Sequence, residues 1–99
     1  MLNISKNVDG KKLEYLLEGR LDNNTSPQLQ EDLEKSLDSV EELVLNFEKL
    51  DYISSAGLRV LLVAQKMIKH QGTMKVTNVN ESIIEIFDVT GFSGILTIE

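Results

Sequence analysis

The sequence predicts an α/β fold: a mixed, mostly parallel sheet of four to five strands, with an antiparallel N-terminal hairpin and about three helices. Two alternating apolar segments flank an Asp-Gly dipeptide near the N-terminus, and amphipathic segments alternate with short apolar runs in the rest of the chain. Strand–helix–strand alternation implies right-handed crossovers and therefore parallel pairing of the middle strands. A length of 99 residues allows one domain and is too short for two independent cores.

The N-terminal hairpin is predicted from the residues on either side of Asp9-Gly10. Apolar residues alternate roughly with polar ones over 2–8 and again over 13–17. An Asp-Gly dipeptide between two such runs is typical of a type I′ hairpin turn. The polar segment that follows, Gly19 to Thr25, is expected to be a loop.

The first helix is expected to begin near Pro27, because proline suits the first turn of a helix, and Thr25 or Ser26 is its expected cap. The acidic residues of this helix are interpreted as a solvated face. Its apolar face repeats at every fourth residue: Leu29, Leu33 and Leu37.

A buried strand is predicted at Leu43–Phe47, and residues 48–53 lead out of it. From Ser55 the apolar period becomes helical, with Lys69 and His70 near the C-terminus of the helix and Gly72 at its end. The apolar face of this second helix consists of Val60, Leu61, Ala64 and Ile68.

The last part of the chain predicts a strand at Met74–Val76, a third helix and a final strand at Ile95–Ile98. Asn80 is the expected N-cap of the third helix, and Gly91 is its expected left-handed C-cap. Its apolar face consists of Ile83, Ile84 and Phe87, with Phe92 folding back.

Composition excludes several classes of function. A net charge of −6 disfavours nucleic acid and anionic membranes as partners. The absence of cysteine excludes disulfides, thiolate metal sites and cysteine nucleophiles. Residues 1–6 lack the layout of a signal peptide, and the apolar runs are too short to span a membrane, so a soluble cytoplasmic protein is expected.

Ser54 and Ser55 lie where an apolar run ends and a helical pattern begins. If Ser54 is the N-cap, its oxygen accepts a hydrogen bond from the backbone of Ala56 or Gly57, and the Ser55 hydroxyl stays free. A phosphate on a free hydroxyl at a helix N-terminus is electrostatically favoured. The simpler alternative is that one serine merely caps the helix.

The sequence predicts no enzymatic activity. Ile53 stands where the nucleophile-elbow motif requires glycine. His70 is the only histidine, and at ~1.5 Å rise per residue it lies on the order of 20 Å from Ser55. The acidic residues lack metal-loop spacing and no glycine-rich nucleotide motif is present, so neither a metal nor a cofactor is expected.

A second candidate segment is Asp22–Asn24, which follows the second strand. Since neighbouring parallel strands end at the same sheet edge, we expect this segment to lie beside the Ser54-Ser55 turn. Taken alone, it can also be an ordinary polar turn before a helix.

Gly57 either permits close packing against a strand or keeps the surface beside Ser55 low. Arg59 is either a solvated helix residue or an interface contact.

Four segments in order are similar to one family. Tyr52–Leu58 resembles the phosphoacceptor segment of the STAS domain of bacterial anti-sigma factor antagonists. Gly19–Asp22 resembles the family's G-x-L-D after the second strand, Leu43–Phe47 its central strand, and Phe87–Phe92 the F-x-x-T-G-[LF] end of the third helix. The resemblance covers nearly the whole chain, so that residues 1–99 are identified as one STAS domain.

The resemblance implies partner switching. The unphosphorylated protein would bind an anti-sigma factor that is also a serine kinase and so free the sigma factor; phosphorylation would release it, and a PP2C-type phosphatase would reset it. The acceptor maps to Ser55 and its neighbouring loop aspartate to Asp22, while Ser54 replaces the aspartate of many members. The expected environment and partner surface comprise Asp22, Asn23, Asn24, Ser54, Ala56, Gly57, Leu58 and Arg59.

Two alternatives stay open. One is a STAS partner-switching module with an output other than a sigma factor. The other is a small-ligand sensor that uses the same sheet edge, which ligand-dependent thermal stabilisation would reveal.

Overall fold

The computed structural model, which describes residues 1–99, contains four strands and three α-helices. Strands β1 (Leu2–Asp9) and β2 (Lys12–Leu21) pair antiparallel, whereas β2 pairs in parallel with β3 (Glu42–Ile53) and β3 with β4 (Thr73–Thr77), in the order β1-β2-β3-β4. The predicted mixed, mostly parallel sheet with an N-terminal hairpin is therefore confirmed. In chain order the elements are β1 (Leu2–Asp9), β2 (Lys12–Leu21), α1 (Ser26–Ser36), β3 (Glu42–Ile53), α2 (Ser55–Ile68), β4 (Thr73–Thr77), α3 (Glu81–Thr90) and a short 3-10 helix (Phe92–Gly94).

The hairpin turn is not the predicted type I′ turn. Asp9 pairs with Lys12 as the last residue of β1, so the two loop residues are Gly10 and Lys11. Only Gly10 has a positive φ, of 61°. A positive φ at the first central position alone is the pattern of a type II′ turn, in which glycine is preferred at that position.

The two central strands are longer than predicted. β2 continues through Gly19 to Leu21, a segment expected to be a loop, because β3 also continues to Ile53 and pairs with it. The register between these strands shifts twice, so that β3 has bulges in its second half. As a result, its buried residues there occur at every third position: Phe47, Leu50 and Ile53.

One hydrophobic cluster joins one face of the sheet to all three helices. It includes Leu33 of α1, Leu61 of α2 and Phe87 of α3. Residues that alternate with the core positions, such as Glu14 on β2 and Asn46 on β3, lie on the opposite face, where Asn46 Nδ2 donates to Glu14 Oε2 over 3.2 Å. No helix of the chain is long and apolar enough to cross a membrane.

The ends of α2 and α3 agree only in part with the sequence predictions. Asn80 caps α3 by accepting from the backbone N–H of Ile83 at 2.9 Å, and Gly91 is left-handed with φ 84°, as predicted. Helix α2 ends earlier than expected, at Ile68. Gly72 is required for another reason: a Cβ there would collide with the backbone of Glu41, on the chain entering β3.

The predicted final strand at Ile95–Ile98 is wrong as a full strand. Residues 92–94 form a 3-10 helix, and only Ile98 makes a single parallel bridge, with Val76 of β4. The Val76 N–H donates to the Thr97 carbonyl at 2.8 Å, and the Glu99 N–H donates to the Val76 carbonyl at 2.9 Å. The N–H groups of Ile95 and Leu96 both donate to the Phe92 carbonyl, so this half of the predicted strand belongs to the turn instead of pairing with β4.

A polar cluster ties α1 to the hairpin. The buried Tyr15 hydroxyl donates to Asp32 Oδ1 over 2.7 Å, and Lys6 Nζ donates to the same oxygen over 2.9 Å. Burial raises the pKa of Tyr15 well above its usual value. Burial opposes ionisation of Asp32 as well, but the hydrogen bonds from Tyr15 and Lys6 outweigh it and hold the pKa of Asp32 below its usual value.

Asp32→Asn is expected to lower the free energy of unfolding by about 1 kcal/mol at neutral pH, because a neutral amide accepts weaker hydrogen bonds than a carboxylate. Since the folded pKa of Asp32 is lowered, its contribution is present above the unfolded pKa of about 3.9 and is lost as the pH falls through the folded pKa. Urea unfolding should therefore show the difference from wild type shrinking below about pH 4.

Asp38→Asn is the matched control for this prediction. Asp38 follows α1, is exposed, and forms no hydrogen bond or ion pair within the chain. Its substitution is expected to change stability by less than about 0.5 kcal/mol at either pH. A difference between wild type and Asp32→Asn that stays constant on acidification would contradict the assignment to the Asp32 carboxylate.

Candidate functional site

The two neighbouring serines at the start of α2 have different roles. Ser54 is the N-cap, with extended backbone (φ −99°, ψ 177°), and its Oγ accepts from the Gly57 N–H at 3.4 Å. Ser55 is the first residue of α2; it is exposed, and its hydroxyl forms no hydrogen bond within the chain. Capping therefore occupies one hydroxyl and leaves the other open to solvent.

The Asp22–Asn24 loop is held by its own aspartate. Asp22 Oδ1 accepts from the backbone N–H of Asn24 at 3.0 Å and of Thr25 at 3.1 Å. Chiefly because of the hydrogen bond from Thr25, the pKa of Asp22 lies below its usual value. The loop is therefore rigidified by a carboxylate that stays ionised at neutral pH.

The predicted cap position of α1 is confirmed at Thr25, but the expected side-chain capping bond is absent. Thr25 Oγ1 instead accepts from the Asp22 N–H at 2.9 Å and donates to the Arg20 carbonyl at 2.8 Å, while Ser26 Oγ donates to the Asp22 carbonyl. Both hydroxyls are used to shape the loop, because the chain must reverse direction directly after β2.

The two loops meet at one edge of the sheet, as predicted. Leu21 and Ile53 are paired at the ends of the parallel strands, and the Ser54 N–H donates to the Leu21 carbonyl at 2.9 Å. The Ser54 hydroxyl donates to Asn23 Oδ1 at 3.4 Å. A serine at position 54 thus does two things: it caps α2 and it contacts the neighbouring loop.

Gly57 and Leu58 are the buried residues in the first turn of α2 at this edge. Leu58 is a buried member of the hydrophobic core, so its contribution is to position α2. A Cβ on Gly57 would lie 2.7 Å from Ile53 Cγ1 and 3.0 Å from the Leu21 carbonyl oxygen. Close packing of α2 against the strand ends therefore requires glycine at position 57. This is the packing role predicted for Gly57 from the sequence.

A shallow groove runs beside the Ser54-Ser55 turn, between α1 and α2. Its lining includes Asn23 of the loop, Ala56 and Arg59 of α2, and Glu31 and Glu34 of α1. Arg59 is exposed and forms no ion pair or hydrogen bond within the chain. The acidic face of α1, interpreted from the sequence as merely solvated, therefore borders the site.

Sequence reasoning missed one pair of residues at this edge. The Arg20 guanidinium lies over the Tyr52 ring, with its central carbon 4.3 Å from the ring centroid, and Arg20 Nε lies 3.8 Å from Asp22 Oδ2. Arg20 was assigned to a loop, whereas it is a strand residue paired with Tyr52. The signal was present, since Arg20 and Tyr52 each lie within a segment of the family resemblance.

A four-stranded mixed sheet covered on one face by three helices, with a capped serine turn at the ends of its parallel strands, has the architecture of a STAS-like domain. A STAS domain family model matches residues 3–99. The chain belongs to the STAS domain family.

Relatives and solved structures agree with this assignment. A Bordetella bronchiseptica protein named as a candidate anti-sigma factor antagonist, BtrV, is 37% identical over 93 residues, covering 92% of this chain and 79% of that protein. The anti-sigma-B factor antagonist of Bacillus subtilis is 29% identical over 98 residues, covering 98% of this chain and 90% of that protein.

The fold is similar to that of SpoIIAA, an anti-sigma factor antagonist, in two states. The unphosphorylated form has a TM-score of 0.77 at 18% identity, covering 100% of this chain and 87% of that one. The phosphorylated form of this Bacillus cell fate determinant has a TM-score of 0.75 at 18% identity, covering 100% and 91%.

Proposed function

We propose that this chain is an anti-sigma factor antagonist controlled by phosphorylation of Ser55. Unphosphorylated, it binds an anti-sigma factor that is also a serine kinase and thereby frees a sigma factor. Transfer of the ATP γ-phosphate to the Ser55 hydroxyl yields ADP and ends this binding, and a PP2C-type phosphatase restores the hydroxyl by hydrolysis. The names of the relatives in Bordetella and Bacillus support the assignment.

The observation that carries the proposal is the unequal use of the two serine hydroxyls. Ser54 is engaged by Gly57 and Asn23, whereas Ser55 is exposed and unbonded. A kinase needs an accessible hydroxyl whose modification the fold tolerates. Ser55 meets both conditions, because a phosphate adds roughly −1.5 to −2 charge at the helix end that favours an anion.

The same phosphate explains why binding would end. The exposed part of the proposed partner surface comprises Asn23, Asn24 and Arg59 around Ser55, with the half-buried Ala56 beside them. A partner that covers these residues must exclude water from the Ser55 hydroxyl. Covering a phosphate dianion instead carries a large desolvation cost unless the partner supplies compensating cations.

Phosphate mapping tests the acceptor. The kinase is captured from a lysate of the source organism with immobilised Ser55→Ala as bait, purified, and incubated with the chain and ATP. Mass spectrometry is expected to find phosphate on Ser55 of wild type and of Ser54→Ala, which loses the cap but keeps the acceptor. Ser55→Ala should stay unmodified, and phosphate on Ser54 alone would contradict the proposal.

The output is tested with the captured complex. Unphosphorylated chain added to a complex of the kinase with a sigma factor is expected to displace the sigma factor, and ATP is expected to reverse this. A captured kinase that binds no sigma factor would overturn the sigma output and support partner switching in another pathway. Both results are read from size-exclusion chromatography of the three proteins.

A further inference from the structure

The bulges of β3 place Arg20 and Tyr52 side by side at the sheet edge where the Asp22–Asn24 loop meets the Ser54-Ser55 turn. Gly19 pairs with Leu50, but the next residue of β2, Arg20, pairs with Tyr52, so that Asp51 is the extra residue on β3. This shift keeps Ile53 in the core and leaves both Asp51 and Tyr52 exposed. Bulges commonly re-aim side chains beside functional sites.

The Arg20 side chain is pre-positioned, and its guanidinium donates no hydrogen bond within the chain. Its guanidinium lies 4.3 Å from the Tyr52 ring centroid, within the ~6 Å range of cation–π attraction. The Arg20 side chain is 54% exposed, and its Nε forms a long ion pair with Asp22 Oδ2 at 3.8 Å, which is too far for a hydrogen bond. A flat cation with its N–H groups unbonded is therefore held at the surface.

We propose that Arg20, stacked on Tyr52, binds a carboxylate of the kinase partner and is a specificity-determining contact beside the proposed partner surface around Ser55. This inference rests on the proposed function, since it assigns a contact to the same partner. A guanidinium presents parallel N–H donors that match a carboxylate, a geometry that lysine does not have. The stack also reduces the side-chain freedom that binding would otherwise remove.

This contact would couple recognition to the switch. Arg20 and Tyr52 lie at the ends of the strands whose loops carry Asp22 and Ser55. A partner carboxylate docked on Arg20 approaches the edge to which phosphorylation adds negative charge. The two like charges repel each other, so that the phosphate on Ser55 weakens the contact at Arg20.

Affinity measurements with the purified kinase test the inference. By isothermal titration calorimetry, Arg20→Gln is expected to bind the kinase at least about 10-fold more weakly, because a charge-assisted hydrogen-bonded pair is lost. Arg20→Lys is expected to lose nearly as much kinase affinity, because lysine keeps the positive charge but lacks the parallel N–H donors of the guanidinium. Lys66→Gln, which removes a charge from an exposed, unpaired lysine on α2, should change affinity less than about twofold.

Variants of Tyr52 separate the contribution of its stacked ring from the contribution of its hydroxyl. Tyr52→Phe keeps the ring and should bind within about twofold of wild type, whereas Tyr52→Leu should weaken binding several-fold. The thermal midpoint of each variant verifies that it is folded. Wild-type affinity in both Arg20→Gln and Arg20→Lys, or equal affinity of the two Tyr52 variants, would overturn the inference.

Ser55→Asp distinguishes failure of this inference from failure of the proposed function. If Arg20→Gln binds normally while Ser55→Asp does not, only the Arg20 contact is wrong. If Ser55→Asp binds like wild type, the phosphorylation switch itself is wrong. Selection of kinase variants that restore binding to Arg20→Glu should recover Asp or Glu changed to Lys or Arg, and recovery of no acidic position would count against a carboxylate.

Discussion

Ser55→Asp is expected to bind the kinase at least about 100-fold more weakly than wild type, whereas Ser55→Ala binds it normally and is not released by ATP. The aspartate places a permanent charge at a residue that the partner must cover, and burying an unpaired charge costs several kcal/mol. Alanine removes the acceptor and leaves the surface neutral. The Ser55 hydroxyl forms no hydrogen bond within the chain, so neither change breaks an internal contact.

Calorimetry and chromatography of the kinase complex with and without ATP measure both effects. Ser54→Asp is the matched control, because it adds the same charge one residue earlier, at an N-cap where aspartate is a favoured residue. It is expected to keep most of the affinity. Equal binding by Ser55→Ala and Ser55→Asp would show that charge at this position does not control the complex.

Gly57→Ala is expected to lower the free energy of unfolding by about 1–3 kcal/mol, although alanine is favoured over glycine inside a helix by about 1 kcal/mol. The new Cβ would lie 2.7 Å from Ile53 Cγ1 and 3.0 Å from the Leu21 carbonyl oxygen. Both neighbours are held in place, since Ile53 is in the core and the Leu21 carbonyl accepts from the Ser54 N–H. The strain therefore displaces the start of α2 and with it the Ser54-Ser55 turn.

Chemical denaturation measures this change, with Gly94→Ala as the control. Gly94 has no atom within 4 Å of a built Cβ, and its φ is not positive, so alanine there should alter stability by less than about 0.5 kcal/mol. Gly57→Ala should also weaken kinase binding, because it moves Ser55 and Ala56. A Gly57→Ala protein as stable as wild type would contradict the close-packing role of this glycine.

Local sequence signals predicted most of the fold. The helices were found from their apolar faces, and the caps Ser54, Asn80 and Gly91 from residue types that stabilise helix ends. The meeting of the two loops followed from parallel pairing of β2 with β3. These features depend on residues close together in the sequence or on general rules of topology.

The wrong sequence predictions concern features that depend on contacts between neighbouring segments. The bulges of β3 exist because two strands of different length must end side by side, so the Arg20–Tyr52 pair could not be found from alternation within either strand. Thr25 was wrongly assigned as a capping side chain because its hydroxyl is used by the loop instead. The segment Ile95–Ile98 has the composition of a strand but only one bridge to β4.

The contact between Ser54 and Asn23 bears on how this edge can evolve. The Asn23 amide carries an acceptor at one end and donors at the other, and here its oxygen faces the Ser54 hydroxyl. Rotating the amide by half a turn would present a donor to a carboxylate at position 54. Exchange of Ser54 for aspartate therefore needs no compensating substitution at position 23, so that one amino-acid substitution can change the charge beside Ser55 while the loop contact is kept.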